Sequence, residues 1–350
     1  MWLANWDYRY SVIPMITSTQ RLLFLYNITA KRKTQRPHVQ NQDETMTQKH
    51  KEHSSEYFSE AREFWWNEDY LDILALRLKL NECHSLLDVG CGKGYMAFKL
   101  ARYLARGASV FGIDAESRWV DEAEKKSKEV NNNEIRYKFT QANAYHLPFA
   151  DNSVDISLCQ TLLIHLAEPE MAVAEMVRVT KSNGYVVAFE PNNLVNTLLM
   201  NGISETSNSV EQILQKVEAY LRMERGKMAL GEGFNSLGDV VPELFYRSGL
   251  TNIQVWLVDK AGSMIPPYNS PEYKARRNEL LGWIDSNQAI YDYDENLKHY
   301  LAGGGTKDNF DLFWQAQETE KLHLADALKK EKYISAGGQM FYVVAGIKTA

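Results

Sequence analysis

Apolar and polar residues follow two different periods along this chain, and the changes between them predict where helices and strands lie. Over residues 54–80, apolar side chains recur every three or four positions, which predicts a helix broken near Asn67. Over residues 85–189, short apolar runs alternate with longer amphipathic segments. Strands that alternate with helices in this way predict an α/β, doubly wound fold with a mostly parallel sheet and right-handed crossovers.

The pattern also predicts where each element begins and ends. Strands are expected at 85–89, 109–113, 135–140, 154–159 and 184–189, and helices at 95–105, 118–130 and 168–179. After Pro191, helices are expected at 210–225 and 238–248, and the second ends at Gly249, a residue suited to the left-handed position after a helix. Two last strands are expected at 253–258 and 340–347. A long insertion must therefore separate the final two strands.

These elements divide the chain into three parts. Residues 1–53 form an extension outside the fold. Residues 54–258 and 339–350 form the sheet domain, in which residues 192–233 are inserted as a helical lid. Residues 259–338 form an aromatic-rich insertion, expected to be a cap or a substrate subdomain. Its aromatic side chains suit either the lining of a small-molecule pocket or the private core of a subdomain.

The overall composition excludes several classes of protein. The chain has 39 Lys and Arg against 45 Asp and Glu, so its net charge of -6 gives no general attraction to nucleic acid or to an anionic membrane. Three cysteines without a CxxC pair indicate a reducing compartment, and no metal site is predicted from the spacing of possible ligands. No apolar run reaches the roughly 18 residues of a membrane-spanning helix, so a cytoplasmic protein is expected.

The composition of residues 1–38 allows a second cellular compartment. Residues 1–38 contain several Lys and Arg but a single acid, Asp7. A basic, acid-poor start is typical of a transit peptide, which would direct the protein to a mitochondrion or another organelle. The alternative is an extension with no role in the fold.

The motif that carries chemistry follows the first predicted strand. Asp88 is followed by Gly90, Gly92 and Gly94 at alternate positions, and a predicted helix begins at once. Glycines permit a tight turn and close approach of a ligand to the backbone, and a helix start presents free N–H groups to an anionic group. A dinucleotide fingerprint would need its third glycine where Tyr95 stands, and no Gly-Lys-Ser or Gly-Lys-Thr of a P-loop follows.

The run from Asp88 to Gly94 resembles motif I of the class I S-adenosylmethionine-dependent methyltransferases, and three later segments match this family in order. Residues 110–114 end the second strand in an acid, residues 142–149 read Ala-Asn-Ala-Tyr-His-Leu-Pro-Phe, and residues 151–166 surround the fourth strand. The resemblance covers residues 84–190. It implies a Rossmann-like sheet closed by an antiparallel hairpin, from which the long insertion departs.

The resemblance also implies S-adenosyl-L-methionine as the cofactor and indicates its contacts. Asp114 would accept hydrogen bonds from the ribose hydroxyls, as an acid does in dinucleotide sites. Asn143, in place of the family's acid, would meet the adenine amine without charge assistance. Tyr57 would lie in an N-terminal helix over the cofactor. The predicted cofactor-binding residues are Tyr57, Asp88, Gly90, Cys91, Gly92, Gly94, Asp114, Ala115, Asn143, Ala144 and Gln160.

Several of these residues also have an ordinary structural alternative. The glycines can be plain turn residues, Asp88 can cap a helix, and Asn143 can close a turn. Asp114 can simply end a strand. Cys91 is interpreted as a small spacer rather than a nucleophile, because no partner can be argued for it.

His165 and Glu190 are the candidate catalytic residues. His165 follows the fourth strand, and an imidazole titrates near neutral pH, which suits a general base. Its alternative is a histidine that only packs in the loop. Glu190 ends the fifth strand and is expected at the rim of the cleft, where it would orient the substrate or simply end the strand. A base is needed only if the acceptor must lose a proton.

The sequence therefore predicts a methyltransferase that moves a methyl group from S-adenosylmethionine to a small organic acceptor by in-line displacement. A first alternative is an RNA or protein acceptor, although no nucleic-acid partner is expected from the charge. A second is a non-catalytic S-adenosylmethionine-binding partner subunit. A nicotinamide-dependent oxidoreductase is a more distant alternative. The sequence leaves the oligomeric state open.

Overall fold

The predicted strands assemble into one seven-stranded sheet in the computed structural model, which describes residues 59–130, 134–199, 209–287 and 289–349. The strands are β1 (Ser85–Val89), β2 (Ser109–Asp114), β3 (Arg136–Gln141), β4 (Val154–Gln160), β5 (Thr180–Asn192), β6 (Leu250–Leu257) and β7 (Met340–Lys348). They lie in the order β3-β2-β1-β4-β5-β7-β6. Strands β1 to β5 are parallel, and β7 runs antiparallel to both β5 and β6. The predicted Rossmann-like fold with an antiparallel closing pair is confirmed.

The helices follow the predicted order with adjusted ends. They are α1 (Glu68–Arg77), α2 (Tyr95–Ala101), α3 (Ser117–Glu129), α4 (Pro169–Val179), α5 (Val210–Ala229), α6 (Val241–Arg247), α7 (Pro271–Ser286), α8 (Tyr293–Ala302) and α9 (Lys307–Lys329). The helix predicted at 54–80 is interrupted, because extended Asn67 separates α1 from a 3-10 helix, Glu60–Phe64. That 3-10 helix is called the N-terminal turn below.

The sheet is covered by helices on both faces. Successive side chains of a strand point to opposite sides, so neighbouring residues pack into different clusters. Leu86 packs into an apolar cluster with residues of α1 and α2, whereas Leu87 and Val89 pack into another with residues of α4. All three side chains are fully buried. A strand buried on both faces needs an unbroken apolar run, which is what the sequence shows. The glycine-rich segment after β1 therefore starts from a rigid support.

The lid insertion and the aromatic-rich insertion share an apolar core. Ala219 and Met223 of α5 pack with Tyr300 of α8 and with Phe310 and Phe313 of α9. All five side chains are buried. These aromatic side chains therefore form the core of a helical layer.

Two glycines allow α5 and α8 to cross closely. A Cβ on Gly226 would lie 1.6 Å from the backbone oxygen of His299, and a Cβ on Gly303 would lie 1.9 Å from that of Arg222. Backbone atoms cannot move aside as a flexible side chain can. We expect Gly226→Ala to lower the free energy of unfolding by about 3 kcal/mol through overpacking. Chemical unfolding followed by circular dichroism measures this change.

Gly282 of α7 offers the matched control for this prediction. A Cβ at this position would meet no atom within 4 Å. Because alanine favours a helix over glycine, Gly282→Ala is expected to raise the free energy of unfolding by up to about 1 kcal/mol. A Gly226→Ala protein as stable as the Gly282→Ala protein would contradict the close crossing.

The predicted extension at 1–53 and the predicted contact Tyr57 lie outside the described residues. Within the described ranges, no helix has both the length and the apolar character that crossing a bilayer requires.

Candidate cofactor site

The glycine-rich loop lies where the strand order of the sheet reverses. Strand β1 pairs with β2 on one side and with β4 on the other, so the connections leave it in opposite directions. In open parallel sheets, nucleotide-type ligands bind in the crevice outside the carboxyl ends of the strands at such a point. Residues 90–94 lie at this position, between β1 and the start of α2.

The conformation of this loop requires glycine at alternate positions. The φ angles of Gly90, Gly92 and Gly94 are 71°, 51° and 75°, in the left-handed region that favours glycine. A Cβ on Gly90 would also lie 2.7 Å from Cδ1 of Leu162, in the loop after β4. The glycine spacing therefore serves both the turn and the close contact with the neighbouring loop.

Cys91 is a buried structural residue of the loop. Its N–H donates to the backbone oxygen of Ile113 at 2.8 Å, which ties the loop to β2. Burial raises the pKa of the Cys91 thiol well above its ordinary value, so the sulfur is protonated at neutral pH. This position fits a spacer rather than a nucleophile.

Asp114, the last residue of β2, holds the glycine-rich loop from the side. Its Oδ2 accepts from the Gly92 N–H at 2.9 Å, and its Oδ1 accepts from the Glu116 N–H at 3.0 Å. Burial raises the pKa of Asp114, and the N–H groups around the carboxylate oppose this shift. The carboxylate is thus fixed in orientation, and each oxygen keeps lone-pair capacity for a ligand hydroxyl.

Asp88 lies beneath the loop rather than on its surface. Its side chain is 1% exposed, and Oδ2 accepts from the Ala97 N–H at 3.2 Å in the first turn of α2. Burial raises the pKa of Asp88 to about 7, the Asp114 charge adds to this shift, and the Ala97 N–H opposes it. A carboxylate that accepts a hydrogen bond from the first turn of a helix stabilises that end of the helix. Direct contact of Asp88 with the cofactor stays a prediction.

The other predicted cofactor residues lie at the ends of β2, β3 and β4. The backbone oxygen of Ala115 accepts a hydrogen bond from a β3 side chain at 2.8 Å. Asn143 is exposed, and its Oδ1 accepts from the N–H two residues later at 2.9 Å, so it closes a turn. Ala144 and Gln160 are half-buried. The structure thus brings these four residues to one edge of the sheet, and their binding roles stay predictions.

His165 lies in a 3-10 turn after β4, Leu163–His165. A Cβ on Gly233, after α5, would lie 2.9 Å from Cα of His165 and 2.2 Å from the backbone oxygen of Ile164. The N–H of Phe234 donates to the same Ile164 oxygen at 2.9 Å. The end of the lid insertion therefore passes directly over this turn. Whether His165 acts as a base stays a prediction.

Glu190 does not lie at the rim of the cleft, so that expectation is wrong. Strand β5 continues past it to Asn192, paired with β7, and the Glu190 side chain is fully buried. Its Oε1 accepts from the N–H groups of Leu162 at 3.0 Å and Leu163 at 2.8 Å. Burial raises the pKa of Glu190 to about 8. The carboxyl therefore anchors the turn that carries His165, which supports a positioning role in place of a catalytic one.

The raised pKa values of Asp88 and Glu190 predict how stability depends on pH. Both carboxyls titrate near pH 4 in an unfolded chain. Between about pH 4.5 and 8 the folded state therefore binds more protons, and the free energy of unfolding falls as the pH rises. Thermal melts across this range should show a shallower decline for Glu190→Gln than for the unsubstituted protein. An equal decline would contradict a raised Glu190 pKa.

Sequence reasoning missed Arg62, which the structure brings to the same crevice. Arg62 lies in the N-terminal turn, and its Nη2 lies 3.4 Å from Oγ1 of Thr161, the residue that follows β4. In the sequence, Arg62 is a lone arginine among aromatic residues, and this pattern by itself does not indicate a site.

Comparison with known proteins finds a family match over part of this chain. Residues 87–188 match the model of a family described as a methyltransferase domain. The matched segment begins within β1, contains the glycine-rich loop and Asp114, and ends within β5. Residues 87–188 therefore match a methyltransferase domain, which supports the predicted resemblance to the class I S-adenosylmethionine-dependent family.

Individual relatives match this chain over part of their length. An uncharacterized methyltransferase of Schizosaccharomyces pombe is 35% identical over 113 residues, which are 30% of this chain and 39% of that protein. The uncharacterized methyltransferase YcgJ of Bacillus subtilis is 32% identical over 134 residues, 37% of this chain and 49% of that protein. The crystal structure of YcgJ aligns with a TM-score of 0.45 at 19% identity, covering 81% of this chain and 100% of that chain. The chain thus spans less than half the length of these two curated relatives in the sequence matches.

Proposed function

We propose that this protein transfers a methyl group from S-adenosylmethionine to a small organic acceptor. The observation that carries the proposal is the glycine-rich loop, which Asp114 holds at the point where the strand order reverses. The family assignment of residues 87–188 supports the same reaction.

The residues present fit this cofactor. The loop of residues 90–94 has glycine at three of its five positions, which permits close approach to its backbone and suits an amino-acid tail lying against it. Asp114 offers two oriented oxygens to a pair of ribose hydroxyls. Asn143 and Ala144 follow β3 at the same edge, where they would meet the adenine.

The chain itself would contribute binding, orientation and exclusion of water. When bound, the sulfonium supplies an activated methyl group for in-line displacement by the acceptor. Holding the acceptor in line accounts for much of the expected acceleration. The N-terminal turn packs against α7 of the aromatic-rich insertion, and the Ser59 hydroxyl donates to the Glu279 carboxylate. This contact joins two segments that would shield the site.

A small acceptor is favoured by the surroundings of the crevice. Trp65, Trp66 and Phe341 line a recess beside the ends of β6 and β7, on the edge of the sheet where the cofactor residues lie. Aromatic side chains at this edge suit contact with the apolar part of a small acceptor. The net charge of -6 offers no general attraction to an RNA acceptor.

A methyl-transfer screen with labelled S-adenosylmethionine tests this proposal. The full chain would be incubated with small-molecule extracts, RNA and protein in separate reactions. Label in the small-molecule fraction is the expected result. Label found only in RNA or protein would mean that a macromolecule, and not a small molecule, is the acceptor. Binding of the cofactor without transfer to any fraction would favour the non-catalytic subunit.

A further inference from the structure

One face of α5, the helix of the lid insertion, carries apolar side chains at a regular spacing. They are Val210, Leu214, Val217, Leu221 and Met228, called the apolar row below. Steps of four and three residues place them along one line of the helix. Val210 and Leu214 are 66% and 62% exposed, and Leu221 and Met228 are 38% and 42% exposed. Single exposed apolar residues are common, but a row at this spacing is typical of a helix that packs against another helix.

The rest of the fold already covers the opposite face of α5. Ala219 and Met223 lie on that face, and both are buried in the core that α5 shares with α8 and α9. Glu224 holds the position in the row before Met228, but it is buried and accepts a hydrogen bond from the Ser236 hydroxyl. Within the described part of the chain, the main packing of α5 therefore uses the face away from the apolar row.

Two charges of opposite sign flank the apolar row on the same side. Glu211 and Arg225 are both exposed and lie two heptads apart. Neither forms an ion pair with another described residue. Glu218 lies between them, but it already pairs with Arg222 of the same helix at 2.8 Å. The side of the row therefore has an available acid near the start of α5 and an available base near its end.

These charges complement each other when two copies of α5 lie antiparallel about a two-fold axis. Glu211 of each copy then lies beside Arg225 of the other, so the favourable contact occurs twice. In the same register, Val210 packs against Met228 of the second copy. A shift by one heptad would set Glu211 against Glu218 instead, and a parallel pair would hold Glu211 and Arg225 about 21 Å apart. The charges thus favour one orientation and one register.

We propose that the apolar row is a dimer interface, on which α5 of a second copy of this chain packs antiparallel. The inference is independent of the methyl-transfer reaction, and it joins the lid insertions of two copies. A membrane surface is a different partner for an apolar helix face. Helices that lie on membranes carry mainly Lys and Arg along their polar sides, whereas Glu211 and Glu218 flank this row. The charge pattern therefore favours a protein partner.

Sedimentation equilibrium of the full chain, from about 1 to 100 µM, tests the dimer. A monomer–dimer equilibrium within this range is expected, because one helix face forms a small interface. Leu214→Glu should weaken the dimer at least about 10-fold, since it places a carboxylate at the apolar contact of both copies. Leu76→Glu, at an exposed position of α1, is the matched control and should leave the equilibrium unchanged. Circular dichroism verifies that both variants are folded.

Charge reversal tests the antiparallel register. Glu211→Arg and Arg225→Glu each create two contacts between like charges, so each variant alone should dimerise about 3- to 10-fold more weakly. A mixture of the two variants restores opposite charges at both contacts. The mixed dimer should therefore be about as tight as the dimer of the unsubstituted protein. A mixture that associates no better than either variant alone would overturn the register.

Two other results would overturn the interface itself. The first is a monomer at every concentration, and the second is a dimer that Leu214→Glu does not weaken. Co-sedimentation with vesicles of phosphatidylcholine and phosphatidylserine tests the membrane as the partner. A monomer that binds these vesicles, and loses this binding in Leu214→Glu, would assign the apolar row to a membrane surface in place of a second copy.

Discussion

Asp114→Ala is expected to abolish the thermal shift that S-adenosylhomocysteine produces. The substitution removes two oriented carboxylate oxygens, each proposed to accept from one ribose hydroxyl. Hydrogen bonds to a charged group contribute about 1.5–3 kcal/mol each, so the affinity should fall at least about 100-fold. The Gly92 N–H also loses its acceptor, which loosens the loop in the same direction. Calorimetric titration of the purified variant measures the change.

Two variants separate this role from a merely structural one. Asp114→Asn keeps one oxygen acceptor and most of the shape, so it should retain more affinity than the alanine variant. Asp121→Ala removes an exposed carboxylate of α3 and should bind normally. If Asp114→Ala binds S-adenosylhomocysteine as tightly as Asp121→Ala does, the ribose assignment is wrong.

Glu190→Ala is expected to cause the largest loss of stability among the substitutions in the site. It leaves the half-buried N–H group of Leu162 and the buried N–H group of Leu163 without the oxygen to which they donate. An unsatisfied buried donor costs about 1–3 kcal/mol, and the deleted side chain leaves a cavity. The free energy of unfolding should therefore fall by about 3–5 kcal/mol, measured by urea unfolding at a pH near 7.

Glu190→Gln provides the matched comparison. A glutamine oxygen accepts from the same two N–H groups, so stability should return to within about 1 kcal/mol of the unsubstituted protein. Glu170→Ala, at an exposed position of α4, should have little effect. Equal stability of all three variants would mean that Glu190 does not anchor the turn with His165.

The sheet was predictable from sequence because its strands are buried on both faces. Leu86 and Leu87 face opposite apolar clusters, so their segment reads as an unbroken apolar run between turn signals. The long β5 shows the limit of this reasoning. Glu190 and Asn192 are polar, yet pairing with β7 extends the strand through both of them. Pairing with a strand so distant in sequence leaves no local signal.

The cofactor loop was predictable because its backbone demands specific residues. The left-handed φ angles of Gly90, Gly92 and Gly94 account for their spacing. Glu190 was misplaced because an acid at the end of a strand gives no indication of its burial. Arg62 was missed because its neighbours, Thr161 and Glu279, are distant in sequence. Residues that act through local backbone geometry leave a sequence signal, whereas residues assembled by tertiary packing do not.

The most direct test of the cofactor assignment is a calorimetric titration of the full chain with S-adenosylhomocysteine, with NAD as the comparison ligand. We predict saturable binding of S-adenosylhomocysteine at one site, a raised melting temperature in its presence, and neither effect with NAD. If S-adenosylhomocysteine neither binds nor raises the melting temperature, or if NAD binds equally well, the glycine-rich loop and Asp114 do not form an S-adenosylmethionine site.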